Sequence, residues 1–84
     1  MLGYVVAAES TEPIVRASVW LEQENGDQSI SAVLTDEQGF FYIENLPGGL
    51  YRLDVFQRAR SHTRRQMLID DGRVMLTTIH LAPQ

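Results

Sequence analysis

Apolar and polar side chains alternate along this chain with a period of two. No window of about eleven residues repeats apolar positions at the i, i+3, i+4, i+7 spacing of a helix. Seven short runs carry the alternation. The first is Leu2–Ala8. The second, Val15–Glu24, sets Ala17, Val19 and Leu21 on one face and Ser18, Trp20 and Glu22 on the other. Ser29–Thr35 is the third, and Phe40–Glu44, with Phe41 and Ile43 sharing a face, is the fourth. Leu50–Gln57 places Tyr51, Leu53 and Val55 together, with Arg52 and Asp54 opposite; Arg65–Ile69 and Arg73–Leu81 complete the set. Successive side chains of a strand point to opposite faces, so each run predicts a strand with one buried side.

Turn chemistry separates the runs. Glu9-Ser10-Thr11-Glu12-Pro13 closes the first, and Asn25-Gly26-Asp27 supplies residues that tolerate the positive φ of a hairpin turn. Asp36-Glu37-Gln38-Gly39 has Asp first and Gly last, as a type I turn favours. In Asn45-Leu46-Pro47-Gly48-Gly49 the proline ends ladder pairing and the glycines permit a reversal, and Asp70-Asp71-Gly72 makes a further turn. The last residues, Ala82-Pro83-Gln84, are expected to fray. Short strands at this spacing predict an all-β sandwich or barrel. With 84 residues there is room for a single domain, 1–84, with a thin core.

Composition narrows the chemistry. The chain has no cysteine, which removes disulfides, a thiol nucleophile and Cys-ligated zinc. All seven basic residues are arginine, so Schiff-base and phosphate-loop lysine chemistry are absent too. The formal charge of −4 is unevenly placed: the segment 58–65 holds Arg58, Arg60, Arg64 and Arg65 with no acid, and the rest is strongly acidic. Nucleic-acid binding needs a broader basic face, because affinity follows the number of phosphates neutralised. No stretch has the length of a membrane span, and the first residues lack the basic region of a secretion signal. The expectation is a chain without nucleic-acid binding or membrane insertion, its compartment open.

A family pattern runs through these elements. Gly3-x-Val5, Pro13-Ile14, Ala17-x-Val19-x-Leu21, Thr35-Asp36-Glu37-x-Gly39-x-Phe41-x-Ile43 and Leu46-Pro47-x-Gly49-x-Tyr51-x-Leu53-x-Val55 together resemble a carboxypeptidase regulatory-like domain, within the transthyretin-like and Cna B-type sandwiches. The resemblance implies a seven-stranded Greek-key β-sandwich of the transthyretin-like (prealbumin-like) kind. It also implies an accessory module of a larger protein or assembly, leaning to bacterial envelope or extracellular settings. Cna B-type domains often carry a Lys–Asn cross-link, which a chain without lysine cannot form.

Candidate chemistry is sparse, and no catalytic residue, metal or cofactor is expected. The 5-hydroxyisourate hydrolases of the same fold end in Tyr-Arg-Gly-Ser, whereas this chain ends Ile79-His80-Leu81-Ala82-Pro83-Gln84. His62 lies among arginines that disfavour its protonation, and His80 alternates with Ile79 and Leu81 and so points outward. Asp36, Glu37, Glu44 and Asp70-Asp71 offer oxygens but lack an EF-hand spacing, and turn capping accounts for them.

Parity leaves Trp20, Tyr42, Phe40 and Tyr4 pointing away from the core, and the last run is apolar on both faces. A sandwich needs one apolar face per sheet, so the surplus marks a covered surface. The favoured function is therefore non-catalytic: protein–protein docking or structural support, with Trp20, Tyr42 and their neighbours as one patch. Arg58, Arg60, Arg64 and Arg65 add an anionic docking site. The partner is a protein or an adjacent domain of a larger chain, with self-association as a further possibility. The alternative is carbohydrate binding, in which the exposed aromatics stack on sugar rings beside Asn25, Asp27 and Gln28.

Overall fold

The alternation is realised as seven strands: β1 (Leu2–Ala7), β2 (Ser18–Gln23), β3 (Ile30–Leu34), β4 (Phe40–Tyr42), β5 (Gly49–Phe56), β6 (Thr63–Ile69) and β7 (Leu76–Leu81). The computed structural model describes residues 1–24, 30–44, 46–70 and 75–83, and no helix occurs among them. The turn expected at Asn25-Gly26-Asp27, and all but Asp70 of that expected at Asp70-Asp71-Gly72, lie outside the described residues. So does Gln84.

Every predicted run corresponds to one strand, and the boundaries shift for local reasons. The second starts at Ser18, not Val15, because Arg16 takes a left-handed φ of 58° and turns the chain before the ladder begins. The sixth starts two residues early, since Thr63 already pairs with Val55. The tail is not frayed as far as it is described. Pro83 forms a bridge with Arg60, and the carbonyl of Ala82 accepts the Ser61 amide at 2.9 Å.

The strands form two sheets, in the orders β4-β1-β7 and β3-β2-β5-β6. Pairing is antiparallel except between β1 and β7, which run parallel from Leu2↔Leu76 to Ala7↔Leu81. The inward parity of each strand supplies one layer of core: Val5, Ala7, Phe41, Ile79 and Leu81 from one sheet meet Val19, Leu21, Tyr51, Leu53, Val55 and Ile69 from the other. All are the residues that alternation places inside. Tyr51 carries a hydroxyl into this layer and donates it to the Pro47 carbonyl at 2.7 Å, so the Leu-Pro-x-Gly-x-Tyr motif is closed by its own hydrogen bond.

Two further motif residues have steric reasons. Gly3 pairs with Phe41, whose ring lies where a Cβ at position 3 would sit. Gly39 has φ of 73°, and a Cβ there would run into the Val5 carbonyl. The single buried polar side chain among the described residues is Thr35. Its hydroxyl donates to the Ile14 carbonyl at 2.6 Å and accepts the Ala17 amide at 2.8 Å. Backbone bonds from Arg16 to Thr35 (3.1 Å) and from Thr35 to Ala17 (3.0 Å) complete the bracket.

Two substitutions test this packing in urea titrations. Thr35→Val keeps the shape but strands a buried carbonyl and a buried amide, and is expected to cost about 2–3 kcal/mol. Thr35→Ser keeps the hydroxyl and should cost only about 1 kcal/mol for the lost methyl; equal losses in the two variants would contradict the bracket. Gly3→Ala is expected to cost about 1–3 kcal/mol by overpacking. Combining it with Phe41→Leu should cost less than the two separate losses together, because the smaller side chain makes room for the methyl.

Candidate functional site

The outward parities build two unlike surfaces. On the β4-β1-β7 sheet they are Leu2, Tyr4 and Val6 of β1, Phe40 and Tyr42 of β4, and Leu76, Thr78 and His80 of β7. Register sets Tyr42, Leu2 and Leu76 in one row and Phe40, Tyr4 and Thr78 in the next. Tyr4 and Phe40 touch as tilted rings with centroids 5.3 Å apart. Tyr4, Tyr42 and Leu76 are 42%, 51% and 72% exposed, and no carboxylate or guanidinium is among these eight strand residues. Three of the four predicted aromatics are thus brought together here.

The fourth is not. Trp20 lies on the outer face of the other sheet, beside Ala32 and Asp54, and lines a small hollow of about 220 Å³ with Ser18, Val33 and Leu34. The expected patch combining Trp20 with Tyr42 is corrected: the two residues occupy opposite outer surfaces of the sandwich, because β2 and β4 belong to different sheets. Parity tells inside from outside, but not which outside.

The outer face around Trp20 carries charge. Arg52 Nη2 meets Glu22 Oε1 at 3.0 Å, while its Nε has no hydrogen-bond partner and lies 3.7 Å from Asp54 Oδ2. Asp54 Oδ1 accepts Arg64 Nε at 2.7 Å and faces His62 Nε2 at 3.2 Å. Partial burial works against the Asp54 charge. The hydrogen bonds and charges of Arg64 and then His62 outweigh it and hold the carboxyl below the usual aspartate range, and Asp54 in turn raises Arg64.

The four arginines expected to form one basic loop are dispersed in the same way. Arg64 is tied to Asp54. Arg65 sits opposite Leu53 on the inward parity of edge strand β6 and stays exposed, a charge that discourages further strand pairing. Arg60 Nη1 bonds Glu9 at 2.7 Å and the Leu81 carbonyl at 3.3 Å; Glu9 is lowered and Arg60 raised by that bond. The side chains of Arg58 and Arg65 make no hydrogen bond or ion pair among the described residues.

Arg58 and Arg60 do share a site. With Phe56, Gln57 and His62 they line an open cleft of about 360 Å³ at one end of the sandwich. Phe56 is 41% exposed and meets the His62 ring edge-on at 5.8 Å. The loop is pinned from several sides: Arg60 N to Gln57 O at 2.8 Å, Ala59 N to Gln57 Oε1 at 3.1 Å and Ser61 N to Ala82 O at 2.9 Å. Sequence reasoning had passed over Phe56, Gln57 and His62 as site residues. The available signal was Phe56, an apolar residue on the same parity as Arg52 and Asp54.

Metal ligation has little to build on. Asp36 Oδ1 is occupied by the amides of Gln38 (2.9 Å) and Phe40 (3.0 Å), and no group of three or more His, Asp or Glu able to hold a metal ion occurs among the described residues. The proposed sugar-side residues Asn25, Asp27 and Gln28 lie outside the described residues.

Comparison with known proteins places this geometry. A family model described as a carboxypeptidase regulatory-like domain matches residues 1–82. A sequence comparison with curated proteins finds no match. Among solved structures the chain is similar to 5-hydroxyisourate hydrolase from Klebsiella pneumoniae, with a TM-score of 0.73 and 19% identity, over 99% of this chain and 89% of that one. The fold is therefore transthyretin-like. The likeness also corrects the expected function. A docking or support module without catalysis, with sugar binding as its alternative, was expected because such sandwiches serve as accessories. A sandwich that matches nearly the whole of this chain is a hydrolase, so the fold does not license that inference.

The Asp54 cluster makes a prediction about acid stability. A carboxyl whose folded value lies below its unfolded value stabilises the fold above the unfolded value, and that contribution is lost as pH falls through the folded one. The wild-type urea midpoint should therefore drop from about pH 4 downward. In Asp54→Asn the midpoint should be lower at pH 7 and the acid-side drop shallower; an unchanged acid slope would remove Asp54 from the account.

Proposed function

For a chain that belongs to the carboxypeptidase regulatory-like family, we propose a function in binding an anionic ligand, without turnover, in the cleft of Phe56, Arg58, Arg60 and His62. The observation that carries the reading is the composition of the cleft wall: two guanidiniums and an imidazole around one exposed aromatic ring, with no carboxylate among the lining residues. Glu9 balances Arg60 and Asp54 faces His62, which leaves Arg58 as the surplus cation. A guanidinium pairs with a carboxylate in a planar, two-pronged geometry. The Phe56 ring offers the body of such a ligand an apolar surface. The best-fitting class is a small carboxylate with a flat apolar body, held weakly because the cleft is open.

Support for binding over turnover is chemical. None of the five lining side chains is a hydroxyl or thiol nucleophile, and the Ser61 hydroxyl is directed to the Pro83 carbonyl at 3.4 Å. The His62 imidazole is turned by its Nε2 towards Asp54.

The reading is tested by titrating benzoate into isotopically labelled protein and following backbone amide shifts, with benzyl alcohol as the uncharged control. Benzoate is expected to bind with a dissociation constant on the order of millimolar, to shift residues 56–62, and to weaken at least several-fold in Arg58→Ala and as salt rises. Equal binding of benzyl alcohol, or undiminished binding in Arg58→Ala, would reject the site. Hydrolysis of 5-hydroxyisourate that disappears in His62→Ala would reject the absence of turnover.

A further inference from the structure

We infer that the outer face of the β4-β1-β7 sheet is a weak homodimer interface, occupied by a second copy of this chain. The outward residues of its three strands carry no formal charge, although charged residues make up 21% of the sequence; the exposed Glu44, next on the parity of Tyr42, stands at its rim. Two copies with a net charge of −4 each can therefore meet here without burying an ion or opposing like charges across the contact.

The arrangement of side chains favours a copy of itself as the occupant. The face is lopsided: aromatic Phe40 and Tyr42 stand on the β4 side, and Leu76, 72% exposed, projects on the β7 side, with β1 between them. A two-fold axis along β1 in the contact plane keeps the rows and exchanges the sides. It brings Tyr42 over the partner's Leu76, the partner's Tyr42 over Leu76, and Leu2 against its own counterpart. Ring meets protruding aliphatic twice, as an isologous contact requires. Sheets stacked face to face in this way sit about 10 Å apart, as they do inside a sandwich.

Area decides the strength. Exposure of this extent on tyrosines and a leucine, with their neighbours, leaves roughly 500 Å² per copy, or about 1,000 Å² in the pair, at the low end of specific interfaces. The dimer is therefore concentration-dependent, with a dissociation constant on the order of 100 µM. The binding cleft lies elsewhere, so the two proposals stand or fall separately.

Sedimentation equilibrium from about 10 µM to about 1 mM, bracketing that constant, reads the outcome. The average mass should rise towards twice the monomer's with concentration and should not fall back as salt is added, because no ion pair holds the contact. Leu76→Glu and Tyr42→Glu should each weaken association at least ten-fold while amide spectra show the fold intact; both positions are exposed enough to accept a charge. Trp20→Glu, on the opposite surface, should leave it unchanged. A monomer throughout the range, a dimer that survives Leu76→Glu, or one abolished by Trp20→Glu would overturn the inference.

Discussion

Thr35 sits where the chain has finished one sheet and is about to cross to the other. The segment it holds, Ile14 to Ala17, belongs to the crossing made in the opposite direction earlier in the sequence, from β1 to β2. One hydroxyl and two backbone bonds thus tie together two of the passages that join the sheets. The core between those sheets is a single layer of side chains, without disulfide or covalent cross-link to keep its walls in register. In so thin a sandwich, letting the two crossings separate would open the layer along its edge. The bond geometry at Thr35 is therefore a condition for the apolar packing as well as an addition to it. The hydroxyl is cheap to bury only because both its partners are buried backbone groups that need it.

Much of this was legible beforehand because parity is a strict code. Val19, Leu21, Leu53 and Val55 alternate with polar neighbours, and each is buried. Gly39 and Tyr51 occupy motif positions with one physical solution each: a left-handed turn, and a ring whose hydroxyl returns to Pro47. What parity cannot encode is sheet membership. Trp20 and Tyr42 both read as outward, yet assignment of β2 and β4 to different sheets sends them to opposite surfaces. Charge was illegible for a related reason. A basic loop read along the sequence is a string of like charges, whereas the folded chain supplies Glu9 to Arg60 from the turn after β1 and Asp54 to Arg64 from the neighbouring strand β5. Only Arg58 and Arg65 keep the character that the local sequence suggested.

The two outer surfaces follow different physical rules. Around Trp20, charged side chains lean on each other across the strands, and Asp54 gathers two guanidiniums and an imidazole around one carboxylate. That face mixes paired charges with exposed apolar side chains, Trp20, Leu34, Leu50, Phe56 and Leu68. The polar groups that the strands set on the face of Tyr4, Tyr42 and Leu76 are ring hydroxyls, a threonine and a histidine. A fold shared with a hydrolase makes the difference informative, since function in such a scaffold lies in what is mounted on it and not in the sandwich itself.

The parallel pairing of β1 with β7 has a kinetic side. β1 is the middle strand of its sheet, and half of its ladder is made with residues from Leu76 to Leu81. Its neighbour on the other side, β4, is only three residues long. On a ribosome, β1 would emerge well before β7 and wait for it before their sheet could close, with Val5 and Ala7 meanwhile unsheltered. Closing so long a loop delays the reward of contact, and folding on the millisecond-to-second scale typical of β topologies is the natural consequence. The β3-β2-β5-β6 sheet, whose paired strands lie closer in sequence, is the part able to form first and to offer β1 and β7 a surface on which to meet.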